Sequence, residues 1–332
     1  MKSALFEIGH LIKISPDIIK GHTKTVAKIS NQYGGNRLAL FIDMIASRIF
    51  LGANTSDYLE HKFWGKKWRE KKRFITEFKR RKLMNMFDDK NLLENIENKH
   101  LFNKMYAPFI HRDCISTDVS SEIEIRNFIQ KHRKVMVKPS SSGRGVGISI
   151  VHNDNEKEII DFLQSTKDTI YTIEEIIVNC DELRKMNPSS LNTFRVITVV
   201  DKKGEVHILY ATLRMGIGDS FVDNVCQGGV MCSVNLEHGV IDSIGITKSC
   251  DKHWYHPTSG VQFIGTQIPR WNEFKKYIVE VASFEKKLRY VGWDIAITPK
   301  EFELIEGNCR PDGDTFQVFD QEGKLPMLMS YY

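Results

Sequence analysis

Asp294 and Glu306 stand at equal distances from Lys300 in a stretch that alternates polar and apolar residues, Val291-Gly-Trp-Asp294-Ile-Ala-Ile-Thr-Pro-Lys300-Glu-Phe-Glu-Leu-Ile-Glu306-Gly-Asn308. Pro299 to Glu301 reads as a turn, and the flanks read as strands over 291–298 and 302–306. In a hairpin centred on Lys300 the two carboxylates lie directly opposite, with Cβ atoms about 4.5–5.5 Å apart. Two such charges repel unless a cation joins them. Asn308 is two residues beyond Glu306 and shares its face, while Trp293, Ile295, Ile297 and Ile305 point the other way into a core. Asp294, Glu306 and Asn308 are therefore candidate Mg²⁺ ligands, because this ion takes hard oxygens, keeps waters and shares phosphate oxygens. A solvent-facing acidic hairpin is the alternative.

A second constraint lies upstream. Val135 to Lys138 and Ile148 to Val151 read as short strands joined by Ser140-Ser-Ser-Gly-Arg-Gly-Val-Gly147. Ser140, Ser141, Ser142, Gly143, Gly145 and Gly147 offer hydroxyls and unobstructed backbone N–H groups, which suits a polyphosphate. The Walker pattern is absent, and a strand follows where a dinucleotide fingerprint needs a helix. Lys138, on the strand before the loop, wants an anion. An ordinary flexible hairpin tip is the alternative. His111-Arg112-Asp113 spells a kinase triplet, but it precedes the glycine loop, and Asp118 stands where the kinase asparagine belongs. His253 and His256 have helical spacing, and Pro257 argues for a loop instead.

The rest of the chain sets the frame. Its 332 residues suit about two domains. Apolar periodicity gives helices through residues 1–50, broken at Gly34-Gly35. Further helices fall at 85–105, 156–163 and 271–288, and strands at 171–178, 193–200 and 206–213. Helices among mainly antiparallel strands indicate an α+β fold. No apolar run is long enough for a transmembrane helix, and Glu7 and His10 interrupt the place of a signal peptide, so a cytoplasmic protein is expected. Six cysteines without a Cys-x-x-Cys pair read as reduced thiols.

The net charge of +5 is concentrated: residues 61–82 hold eleven Lys/Arg against two Glu. Trp64, Trp68, Ile75 and Phe78 recur there at helical spacing, which predicts one amphipathic helix. Its cationic face is either solvated or a contact for a polyanion or membrane surface.

Taken together these residues resemble the ATP-grasp superfamily. Val-Met-Val-Lys138-Pro and its loop look like the phosphate-covering hairpin, Ile173-Glu174-Glu175-Ile176-Ile177 like the hinge that holds adenine, and Asp294 with Glu306-Gly-Asn308 like the magnesium signature. Glu97-Asn-Lys99 resembles an earlier element, which makes Lys99 a second nucleotide lysine.

The match sharpens to the sugar-transfer-associated branch through Ser190-Leu-Asn192-Thr-Phe-Arg195, Asp223-Asn224 with Gly228-Gly229, Glu306-Gly-Asn-Cys-Arg310-Pro-Asp, and Asp57-Tyr58 before the basic segment. It covers roughly residues 50–320.

The resemblance implies an ATP-grasp fold of two α+β subdomains gripping ATP. A helical N-terminal region (1–95) would precede a small subdomain (96–180) and a C-terminal subdomain carrying the metal site (181–332). It implies ATP with two Mg²⁺ ions and a ligase that forms an amide through an acyl phosphate. The substrates would be a small-molecule or saccharide carboxylate and an amine, in capsule or O-antigen polysaccharide assembly. Arg310 would steady the transferring phosphoryl group, and Arg195 and Arg214 are candidate carboxylate clamps. Asn192, Asp223, Asn224, Gly228 and Gly229 would meet substrate. A polyanionic saccharide could contact 61–82, and no nucleic acid is expected. The alternatives are a phosphotransferase acting on a saccharide hydroxyl and a non-catalytic polyanion-binding protein.

Overall fold

The computed structural model describes residues 16–140, 146–220, 225, 228–311 and 313–332. The calls at Ser141, Ser142, Gly143, Gly145, Asp223 and Asn224 lie outside these residues. The chain divides into two units, Met1–Phe87 with Arg310–Tyr332, and Asp88–Cys309. The last stretch of chain therefore belongs to the helical unit and not to a C-terminal subdomain over 181–332.

In the first unit, helices α1 (Pro16–Tyr33) and α2 (Arg37–Leu51) flank Gly34-Gly35, as the periodicity predicts. The Asn36 side chain caps α2 by accepting from the N–H groups of Leu38 and Ala39. Helix α3 (Thr55–Glu60) begins with a capping box between Asn54 and Asp57.

The single helix expected over 61–82 is not there. Lys62 is left-handed (φ 48°), a 3₁₀ turn covers Phe63–Gly65, and Lys66 and Lys67 are extended. Helix α4 is one turn, Trp68–Lys71, and α5 runs Glu77–Phe87. The physical reason is that Phe74, Ile75 and Thr76 are consecutive and all buried, and in a helix they would spread over about 200° of its surface, wider than one stripe. Phe63, Phe74 and Ile75 are fully buried and so is Lys71, while Trp68 is exposed. The Lys71 ammonium sits on both carboxylate oxygens of Asp43 at 2.5 and 2.6 Å, and the Tyr58 hydroxyl donates to the same group at 2.6 Å. Lys66 and Lys79 donate to backbone carbonyls of Gln321, Lys72 and Phe74. Part of the cationic character is thus structural.

The second unit contains two sheets, and every strand pair in them is antiparallel. Helices α6 (Leu93–Glu97) and α7 (Lys99–Met105) precede β1 (Cys114–Ser116). Then come α8 (Glu122–Lys131), β2 (Lys134–Pro139), β3 (Ser149–His152), α9 (Glu156–Ser165) and β4 (Tyr171–Glu175). The strands form a four-stranded sheet, β1-β4-β2-β3. Val135 and Val137 point to one face and bury against Ile125, Ile129, Ile159 and Phe162 of the two helices. Met136 and Lys138 point to the other face, which is left for the cleft described below.

The larger sheet comprises β5 (Thr193–Val200), β6 (Val206–Met215), β7 (Val230–Ser233), β8 (Gly245–Thr247), β9 (Lys252–His253), β10 (Tyr290–Ile297) and β11 (Phe302–Asn308), in the order β11-β10-β5-β6-β7-β8-β9. Helix α10 (Asp181–Arg184) precedes it, and α11 (Trp271–Phe284) packs on β5 and β6. The five described cysteines are free thiols. His256 is buried with Nε2 2.9 Å from the Gly216 carbonyl, consistent with the loop reading.

Gly307 ties α6 and α7 to the edge strand. A Cβ there would lie 2.8 Å from Ile96 Cδ1 and 3.0 Å from the Phe102 ring. Glycine is what lets those helices, with Lys99 at the start of α7, seat against β11. Gly307→Ala should cost about 1–3 kcal/mol through overpacking. Gly21→Ala, which meets open space within α1, should instead add about 0.5–1 kcal/mol. Urea unfolding midpoints of the two variants check both signs.

Candidate active site

The open face of the small sheet forms one wall of a cleft. Lys134, Met136 and Lys138 of β2 line it with Ile150, the segment 174–179, Arg184, residues 188–191 and Ile305. At its base the Lys138 ammonium meets Glu174 at 2.6 Å, and Arg112 Nε meets the same Glu174 oxygen at 2.8 Å. Arg112 also donates to Glu303 at 2.7 Å and to the carbonyl of Leu304 at 2.7 Å. One buried guanidinium thus ties β4 of the small sheet to β11 of the large one. Glu175 is the last residue of β4. Beyond it, among the described residues, the backbone N–H and C=O groups of Ile176, Ile177 and Val178 have no hydrogen-bond partner. Such groups beside a cleft are ready for a planar ligand's edge.

The hairpin pairs Asp294 with Glu306, the opposition expected from its symmetry about Lys300. Arg195 stands directly opposite Asp294 on β5 and donates to it through Nε at 2.5 Å and a terminal nitrogen at 3.0 Å. Arg214 of β6 adds a bond at 2.7 Å. Burial by itself would raise the Asp294 carboxyl, but the two guanidiniums hold it well below the usual range. Desolvation and then Asp294 raise the Glu306 carboxyl. Because 41% of that side chain still meets solvent, the Asp294 charge is the firmer cause. Asn308 Nδ2 donates at 3.3 Å to both Glu306 and the Gly292 carbonyl. Lys99 feels Glu306, Lys138 and Glu174 together, and burial lowers its pKa.

A family model described as sugar-transfer associated ATP-grasp matches residues 69–331. The chain belongs to that family. No curated protein matches it. Among solved structures it is similar to the ATP-grasp ligase PsnB complexed with a minimal precursor, at 13% identity and a TM-score of 0.46, covering 74% of this chain and 62% of that one. It is also similar to D-alanine–D-alanine ligase from Bacillus anthracis, at 14% identity and a TM-score of 0.45, covering 76% and 74%. A third likeness is purK, an N5-carboxyaminoimidazole ribonucleotide synthetase in its ADP complex, at 12% and 0.43, covering 67% and 47%. The chain spans about three fifths of the length of PsnB and under half that of purK.

Within this ATP-grasp chain several site expectations change. Ile305 lines the cleft instead of the core, because a β-bulge beside Asp294 inserts it as an extra residue in β11. Arg195 and Arg214, read as clamps for a substrate carboxylate, hold the chain's own Asp294. Asn192 is fully buried, and its amide donates to the carbonyls of Leu183 and Asn187 while its oxygen accepts from Ser190. It fastens the loop before β5 and is closed to substrate in this arrangement. β11 ends at Asn308, two residues short of Arg310. Arg310 is exposed in the first unit, where its carbonyl accepts from Arg80.

Ser140 is buried beside Thr172. Gly147 has φ +76°, and a Cβ would lie 2.9 Å from Pro139, so the loop's return to β3 requires glycine. Gly228 is exposed and Gly229 buried before β7. Arg112 and Glu303 are the residues that sequence reasoning missed. Arg112 sat inside the discarded kinase triplet, and its buried partners are distant in sequence.

The Glu174 carboxyl, which burial would raise, is driven down to about 2 by Arg112 and then Lys138. A depressed folded value stabilises above the ordinary carboxylate pKa of 4.5 and loses that contribution as pH falls towards 2. Glu174→Gln should therefore reduce the acid-dependent stability loss by about 3 kcal/mol. Urea unfolding of both proteins across that range measures it. Arg112→Met should cost about 3–5 kcal/mol at neutral pH, because it leaves the buried Glu303 without its cation and Glu174 with Lys138 alone.

Proposed function

We propose that the chain is an ATP-dependent carboxylate–amine ligase. An acceptor carboxylate oxygen attacks the γ-phosphorus of ATP and displaces ADP. An amine then attacks the acyl carbon, loses a proton and expels phosphate, leaving an amide. The observation that carries this reading is that Lys99 lies within electrostatic reach of Glu306 and of the cleft residues Lys138 and Glu174, in a chain of the ATP-grasp family. Met136, Ile150 and Ile305 offer apolar contact to a base, and the backbone of 176–178 can read its edge. Lys138 and Lys99 would meet the phosphates.

The donor set suits magnesium. Asp294, Glu306 and Asn308 supply hard oxygens on one face, and among the described residues no donor meets Asn308 Oδ1. Bound Mg²⁺, which we assign as two ions, would neutralise charge on the phosphates. Arg195 and Arg214 fix the orientation of Asp294. The acceptor we infer is a sugar-linked carboxylate such as a uronic acid, joined to an amino acid or other amine in surface-polysaccharide assembly on the cytoplasmic side.

Incubation with ATP, Mg²⁺ and panels of sugar acids and amines tests this by product mass and nucleotide analysis. ADP, phosphate and an amide are expected; AMP with pyrophosphate, or a phosphorylated sugar without amide, would refute the ligase reading. Glu306→Gln should abolish turnover while leaving circular dichroism unchanged, and normal turnover in that variant would remove the metal assignment. Lys138→Ala should lower kcat/KM by about 10²–10³, the scale of losing one donor to developing charge.

A further inference from the structure

Helix α2 carries apolar residues on more sides than the first unit buries. Met44 and Leu51 face the core, with Leu40 and Phe41 packed beside them. Leu38, Ile42 and Ile49 recur at helical spacing on the opposite side and are 68%, 59% and 41% exposed. Ile45 falls on the same stripe by periodicity. Phe50, at 73% exposure, meets the exposed Trp68 edge to face, with ring centroids 6.2 Å apart. A helix that is apolar on all sides belongs in a core or against a partner, and this one presents an aliphatic stripe ending in two aromatic rings.

The rim of that surface is cationic. Lys67 and Arg69 flank Trp68 in sequence, and Lys72 follows one turn later; all three are exposed. Among the described residues no side-chain ion pair involves any of the three, although the exposed Glu70 accepts from the Lys67 backbone N–H at 2.8 Å. Over residues 16–87 the chain holds sixteen Lys/Arg against six Asp/Glu.

We propose that this face of the first unit binds the surface of an anionic lipid bilayer. The aliphatic stripe and Phe50 enter the headgroup boundary, Trp68 lies at the interface, and Lys67, Arg69 and Lys72 meet lipid phosphates. No described helix is long and apolar enough to cross a membrane, so the contact is peripheral. Charge complementarity selects this occupant. A protein partner covering an apolar stripe favours a contact depleted of lysine. A dissolved polyanion would use the cations and leave Leu38, Ile42 and Phe50 in water. A bilayer answers both halves, and it would hold the ligase where lipid-linked saccharides are found. The inference stands apart from the ATP chemistry, since none of these residues lines the cleft.

Flotation of the full chain with vesicles tests it. Binding is expected to vesicles of phosphatidylcholine with about a third phosphatidylglycerol, weak binding to phosphatidylcholine alone, and release as salt rises towards 1 M, where the Debye length falls to about 3 Å. Replacing Lys67, Arg69 and Lys72 by Ala should lower the partition coefficient about a hundredfold, at about fivefold per basic residue. Ile42→Ser with Phe50→Ser should lower it by at least about tenfold even at low salt. Circular dichroism should be unchanged in both variants.

Absence of flotation with anionic vesicles, or equal flotation of wild type and both variants, overturns the proposal. So does a dimer that Ile42→Ser with Phe50→Ser dissociates when no flotation occurs, or binding to polygalacturonate without flotation. Turnover of small substrates in vesicle-free solution is read separately, so failure of the ligase reading leaves the flotation result standing.

Discussion

A carboxylate buried between two cations occurs on each sheet of the second unit, and the geometry of the cleft depends on both. Glu174 lies between Arg112 and Lys138, and Asp294 between Arg195 and Arg214. A lone carboxylate at such depth would take up a proton rather than remain charged. One cation would cancel its charge. Two are supplied because each cluster holds a second carboxylate, Glu303 on Arg112 and Glu306 at 4.0 Å from Arg195, so the charges balance two against two.

The two cations on Glu174 differ in kind. Arg112 is a planar fork fixed on four sides by Glu174, Glu303 and the carbonyls of Leu304 and Ile305, so it sets the spacing between β4 and β11. Lys138 is a single charge on a flexible stem with one carboxylate partner. A phosphate can draw Lys138 away while Arg112 keeps Glu174 compensated. Asp294 lacks that asymmetry. Both of its cations are arginines, which suits a residue whose orientation must stay fixed.

How much was legible in the sequence follows from the range of each interaction. The Asp294–Glu306 opposition was legible as a pairing but not in its cause, because the turn pairs Ile297 with Phe302 and only the extra residue Ile305 brings Glu306 opposite Asp294. Lys138 was legible because a strand that alternates Val135, Val137 with Met136, Lys138 must put the lysine on the face away from the core. Arg112 was not legible, because its significance comes from Glu174 and Glu303, which lie 62 and 191 residues away. Arg195 and Arg214 were visible as functional arginines, but only the β5–β10 register shows that Arg195 faces Asp294 and not a ligand. The 61–82 segment misled for a related reason. Trp64, Trp68, Ile75 and Phe78 keep helical spacing, yet the consecutive Phe74, Ile75 and Thr76 all demand burial, which a single stripe cannot supply.

The bulge in β11 shows how far one residue can redirect a site. In a regular strand Glu303 and Glu306, three residues apart, would point to opposite faces. The observed register sets Glu306 against Asp294 and Glu303 against Ala296, two positions that share a face of β10. The inserted Ile305 thus brings both carboxylates to one side. Glu306 can join Asp294 and Asn308, while Glu303, opposite the small side chain of Ala296, reaches Arg112. Removing the insertion would place one of the two acids in the core that Trp293, Ile295 and Leu304 fill. It would separate the candidate metal ligands from the buried arginine that anchors the neighbouring sheet. Ile305, left without a cross-strand partner, turns to the cleft and supplies its apolar wall.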